Sequence, residues 1–141
     1  MQVLRLKIDM WDISHYNQKG EEPGFNLEFY EKENGDIPFI DFMKGLSPKL
    51  KAKVIRDLDV LERFGNELRE PFSKPLEDGI FELRTVFGKD ITRILYFFYI
   101  GKRIVITHGF VKKQQKTQKS EIETAKEFRK DWIRRNGNEI R

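Results

Sequence analysis

The sequence predicts an α+β fold, and three observations carry that prediction. Residues Phe81–Lys113 (FELRTVFGKDITRILYFFYIGKRIVITHGFVKK) read as three strands joined by two glycine turns. Ser47-Pro48 opens a stretch with apolar residues at three- and four-residue spacing, the period of an amphipathic helix. Ser120-Glu121-Ile122-Glu123 has the S-x-x-E form of a capping box ahead of a second such stretch. At 141 residues the chain is long enough for one domain with its own core.

Taken in order, Leu4, Leu6, Ile8 and Met10 alternate with Arg5, Lys7 and Asp9, which is strand patterning. The polar run Ser14–Gly24, with Gly20, Pro23 and Gly24, reads as a linker or turn. The first two dozen residues are thus either an accessory strand on a tether or a leader. Phe25–Glu33 places Phe25, Leu27 and Phe29 on one face of a second strand, ended by Asn34-Gly35-Asp36. Pro38–Gly45 is a short helix with Phe39, Ile40, Phe42 and Met43 on its apolar side. Ser47 serves as N-cap and Pro48 as first residue of a helix carrying Leu50, Val54, Leu58, Leu61 and Phe64. Gly65 ends it. Together the two helices are expected to form a hairpin that buries its stripe on the meander. Lys49, Lys51, Lys53, Arg56 and Arg63 make a solvated face on the longer helix.

Asn66–Asp78, with Pro71 and Pro75, reads as a polar loop. The meander follows: Phe81–Phe87, Ile91–Ile100 and Arg103–Val111, turning at Gly88-Lys89 and Gly101-Lys102. The closing helix carries Ile122, Ala125, Phe128 and Trp132 along one side. Arg129, Lys130, Arg134 and Arg135 lie towards its C-terminus, where cations suit the helix dipole.

Composition narrows the function classes. The chain has no cysteine, which removes disulfides and thiolate metal sites, and its two histidines, His15 and His108, are too few and too far apart for a metal centre. Neither a metal nor another cofactor is expected. No stretch approaches the length of a membrane span, and Arg5, Lys7 and Asp9 interrupt any signal-peptide core. The expected setting is cytoplasmic. A net charge of +4 leans towards an acidic partner.

The cations are placed unevenly. Arg84 and Arg93 sit inside otherwise apolar adjacent strands, and the last strand runs out into Lys112-Lys113, then Lys116 and Lys119. Between Lys102 and Lys119 there is no Asp or Glu. An arginine within a strand either faces solvent or pairs with a carboxylate. Two in neighbouring strands with a lysine pair at the exit also fit a surface for phosphate. Parity separates the neighbours of Arg93: it shares a face with Leu95 and Phe97, whereas Tyr96 shares one with Ile94 and Phe98 unless a bulge intervenes.

ELR (Glu82–Arg84), RILYFF (Arg93–Phe98), THGFVKK (Thr107–Lys113) and KTQKSEIETAKE (Lys116–Glu127), with FNLEFYEKENG and PFSKPLEDG ahead of them, resemble the phage-derived HigB-type branch of the RelE/ParE toxin superfamily. The resemblance covers roughly Phe25 to Arg135. It implies a RelE-like fold: an antiparallel or mixed sheet, an N-terminal helical hairpin on one face and a C-terminal helix. The domain would span residues 25–135, between an extension of residues 1–24 and a tail of residues 136–141. It also implies the toxin of a type II toxin–antitoxin pair, an endoribonuclease that cuts mRNA on the ribosome and is neutralised by a HigA-type helix-turn-helix antitoxin. Metal-free cleavage uses the 2′-OH of the RNA as nucleophile, so the protein must move protons and stabilise a crowded phosphorane.

By that analogy Arg84 and Arg93 grip phosphate. Lys112, Lys113 or His108 would transfer protons. Lys102, Lys116 and Lys119 would hold the RNA backbone, and Tyr96 would stack a base unless it is a core residue. Where some superfamily nucleases carry a His-Tyr or Arg-Tyr pair, this chain has Lys112-Lys113. Two other readings stay open: a non-nucleolytic inhibitor such as a ParE-like gyrase poison, and a non-toxic phage-derived module that binds RNA or protein.

Overall fold

The computed structural model describes residues 24–111 and 116–137. The strand candidate at Leu4–Met10 and both Lys112 and Lys113 lie outside the described residues. A five-stranded sheet forms the middle layer. Its strands are β1 (Asn26–Phe29), β2 (Ser73–Pro75), β3 (Phe81–Phe87), β4 (Asp90–Tyr99) and β5 (Arg103–Val111), in spatial order β1-β5-β4-β3-β2. The three long strands are the antiparallel meander read from the sequence. β1 joins β5 in parallel, with Asn26 opposite Arg103 and Phe29 opposite Ile106, so the sheet is mixed.

Helices α1 (Pro38–Lys44) and α2 (Pro48–Phe64) cover one face, α1 over β5 and α2 over β3. Helix α3 (Lys119–Asn136) covers part of the other. The first face carries the larger core, where Phe39, Met43, Val54, Leu58 and Leu61 meet Phe29, Leu83, Ile94, Tyr96, Ile104 and Ile106. Burying one such side chain contributes about 1.5–3 kcal/mol. The second core is smaller: Leu95, Phe97 and Val105 against Ala125 and Trp132, with Tyr30 and Ile80. Among the described residues no helix is long and apolar enough to cross a membrane.

Local chemistry explains most boundaries. The Leu50 N–H donates to Ser47 Oγ at 3.2 Å, and Pro48 needs no donor at the first helical position. Gly65 ends α2 at φ +49°, and a Cβ there would lie 2.0 Å from the ring of Phe25, so only glycine admits this approach. Gly88 (φ +62°) takes the first turn position between β3 and β4, the place a II′ hairpin reserves for glycine.

Three expectations need correcting. The strand starting near Phe25 is shorter than Phe25–Glu33, because the chain turns at Lys32–Asp36, where the Asp36 N–H donates to Asn34 Oδ1. The stretch read as a loop over Asn66–Asp78 contains β2, three residues paired with β3 at the sheet edge, where Pro75 does not interrupt a ladder on both sides. Ser120 is not the N-cap of the last helix. Gln118 stands there with no side-chain cap, because Thr117 and Lys119 are held by tertiary partners that fix where the helix begins.

Candidate functional site

Period-2 alternation turns Glu82 and Arg84 of β3 to the α3 face, while Leu83 enters the larger core. In register, Arg84 stands directly opposite Arg93 of β4. Like charges so placed repel. The repulsion is met by Glu82, which is 1% exposed. Its Oε1 lies 3.4 Å from Arg93 Nη1 and its Oε2 3.6 Å from Arg84 Nε. One buried carboxylate thus serves two guanidiniums and leaves the trio with one net positive charge.

The two arginines are not equivalent. Arg93 is 2% exposed, whereas the side chain of Arg84 retains 26% of its exposure. Arg93 also donates to Thr117 Oγ1 at 2.5 Å, and the Thr117 hydroxyl donates to Glu82 Oε1. Beside them opens a cleft of about 390 Å³, lined by Lys74, Glu77, Glu82, Arg93, Lys116, Thr117, Lys119 and Ile122. Lys116 is exposed at its rim. The Lys119 ammonium is engaged by Glu77 at 2.7 Å and Glu123 at 3.5 Å, and the Glu77 contact raises its pKa. Glu77, bonded by Lys119 and Lys126, is held down to about 2. These contacts clamp the β2–β3 loop to α3.

His108 reaches the α3 face through a bulge. The β4–β5 register passes from Leu95 opposite His108 to Tyr96 opposite Ile106, leaving Thr107 without a partner in the ladder. A regular strand would send His108 to the side of Ile104 and Ile106, which belong to the larger core. Instead it lies with Phe110 and Phe128. Its Nε2 is 2.9 Å from Glu121 Oε1 and its Nδ1 is 3.2 Å from Thr107 Oγ1. Burial lowers its pKa, with Glu121 opposing, so the ring is neutral at neutral pH.

The remaining expected residues lie elsewhere. Tyr96 faces the opposite layer, fully buried, stacked on Phe81 with ring centroids 5.6 Å apart, its hydroxyl 2.6 Å from Ser73 Oγ. Burial pushes its pKa up to about 12. β4 is continuous through this point, so the bulge in β5 does not bring Tyr96 round to Arg93. Lys102, at φ +60° in the β4–β5 loop, sits at the far end of the strands with its ammonium 5.7 Å from the Phe25 ring centroid. The structure therefore brings Arg93, Lys116 and Lys119 to one cleft, with Arg84 joined to it through Glu82, and separates them from Tyr96 and Lys102.

The sequence reading gave no role to Glu82, Thr117 or Glu121. Glu82 had a signal, because it shares the alternation of Arg84. Thr117 and Glu121 had none, since their roles depend on where α3 docks.

Two comparisons bear on the chain. A family model described as "Phage derived protein Gp49-like (DUF891)" matches residues 41–130, a span that includes the whole arginine–carboxylate cluster. Two curated relatives, both named "Probable endoribonuclease HigB1", come from Mycobacterium tuberculosis strains CDC 1551 / Oshkosh and ATCC 25618 / H37Rv. Each is 40% identical over 65 residues, which is 46% of this chain and 51% of the relative. The chain spans about half the length of the curated relatives it matches.

Proposed function

The chain belongs to the phage-derived Gp49-like family, in keeping with the HigB-type resemblance of its motifs, and on that premise we propose that it is the toxin of a type II toxin–antitoxin pair that cleaves mRNA on the ribosome. The observation that carries this reading is the pairing of Arg84 with Arg93 across adjacent strands, on one face, beside a lysine-lined cleft. The endoribonuclease name of the relatives supports the same reading.

In this proposal the RNA 2′-OH attacks the adjacent phosphorus, and Arg84, the more exposed guanidinium, stabilises the charge of the phosphorane. Lys116 steers the backbone into the cleft. Lys112 and Lys113, outside the described residues, are the proton-transfer groups. His108, on β5, supports the site by tying the strand to α3, its nitrogens being occupied by Glu121 and Thr107. No cofactor takes part. A site with so few acid–base groups depends on the ribosome to align the message. The fold reading that accompanies this is RelE-like, with α1 and α2 as the helical hairpin and residues 25–135 as the toxin domain. The partner is a HigA-type antitoxin, and the setting is the cytoplasm.

One observation favours a second reading, a binding-only inhibitor. Tyr96 and His108, two groups able to exchange protons, are both held by neighbours. Induced expression followed by mapping of message 5′ ends separates the two. Cuts inside translated codons that disappear when translation is blocked, and in the Arg84→Ala variant, are expected from the nuclease. Growth arrest without new ends, persisting in Arg84→Ala, would replace it with the second reading.

A further inference from the structure

Resting on the reading above, in which Arg84 meets the phosphate, we infer that Thr117 is a positioning residue that fixes Arg84 through Glu82. Its hydroxyl occupies a place that needs both hydrogen-bonding senses. It accepts from Arg93 Nη1 and donates to Glu82 Oε1. That arrangement divides the Glu82 carboxylate between two partners: Oε1 serves Arg93 and Thr117, and Oε2 is left facing Arg84 Nε at 3.6 Å.

Removing the hydroxyl takes one acceptor from Arg93, a charge only 2% exposed. A guanidinium in that position is best served by gripping both carboxylate oxygens as a fork. Glu82 then turns its second oxygen towards Arg93, and Arg84 loses the counter-charge that orients it. Arg84 Nε has no hydrogen-bond partner among the described residues, so the Oε2 contact is what orients that end of the guanidinium. The site is in this sense completed from outside the sheet, by the residue just before the N-cap of α3.

The variants are Thr117→Val, which keeps shape but not the hydroxyl, and Thr117→Ser, which keeps the hydroxyl. The first readout needs no substrate: the ¹⁵N resonance of Arg84 Nε–H, identified by its absence in Arg84→Ala. It is expected to shift or broaden in Thr117→Val and to return in Thr117→Ser. The second is single-turnover cleavage of a short message in the A site of purified ribosomes. Thr117→Val is expected to be roughly tenfold slower with ribosome binding unchanged, the loss of one charge-assisted hydrogen bond. Thr117→Ser should stay within about twofold. Thr117→Val added to Arg84→Ala should be no slower than Arg84→Ala alone, because both act through one group.

An Arg84 signal that stays in place in folded Thr117→Val, or a loss that adds fully to Arg84→Ala, overturns the inference. Should Thr117→Val not fold, Thr117→Ala takes its place; failure of both makes the hydroxyl a folding determinant and also overturns it. If the wild-type protein cuts no message on the ribosome, the nuclease reading falls while the resonance still decides whether Thr117 positions Arg84.

Discussion

The two faces of the sheet use the same alternation to opposite ends. Under α1 and α2 the inward positions of all three long strands are given mainly to apolar side chains, and even Tyr96 is sealed with its hydroxyl on Ser73. Under α3 the face is divided lengthwise. Phe97, Val105 and Trp132 pack at the end nearer the β4–β5 loop, while Glu82, Arg84 and Arg93 lie towards the β3–β4 turn. One face holds the fold together, and the other keeps part of its area for charge. Charge inside a sheet persists only where it is balanced, and among the described residues the Glu82 carboxylate faces both guanidiniums.

Breaking that balance is expected to have the largest effect. Glu82→Ala takes the shared carboxylate from Arg93, buried opposite Arg84, and the loss should be about 3–5 kcal/mol in urea unfolding. The equivalent blow to the apolar face is Leu61→Ala, from a fully buried position in the larger core. It should cost about 2–4 kcal/mol through lost contacts and a residual cavity.

A smaller effect is expected at Gly109, where an added Cβ would meet the Phe42 ring at 2.6 Å. Gly109→Ala should destabilise by about 1–2 kcal/mol, measured by the same unfolding curve, since α1 must lift from β5. The smallest is the pH response of His108. Its folded pKa lies below the ordinary 6.5 because it is buried, so the unfolded chain takes up the proton first. The contribution is complete above pH 6.5 and is lost as pH falls through the folded value. His108→Gln should flatten the stability curve just below pH 6.5 relative to wild type; a curve of unchanged slope would remove His108 from the account.

Much of this was legible because it is local. Ser47, Pro48 and Gly65 bracket α2 through contacts within a turn or two, and the meander shows in its alternation and its glycines. The separation of Arg93 from Tyr96 by parity also follows from β4 alone, which runs without interruption. What was not legible needs partners distant in sequence. The parallel pairing of β1 with β5 joins segments about eighty residues apart. β2 exists only because β3 offers it an edge, and α3 starts at Lys119 because Glu82 and Glu77 hold the residues around its start. The cation cluster could be counted from the sequence, but the shared carboxylate that sets its charge could not be weighed without the fold.

The unpaired Thr107 acts as a phase inverter for β5. Upstream of it, even-numbered side chains such as Ile104 and Ile106 belong to the layer of α1 and α2; downstream, the even-numbered His108 and Phe110 belong to α3. Deleting that one residue would remove the bulge and keep His108 opposite Leu95 on the side of α3; keeping Thr107 in a regular register would instead drive His108 and Phe110 into the space that Phe42 now fills above Gly109. A strand built this way depends on where its extra residue sits, and a redesign of its outer half must count residues before it chooses them.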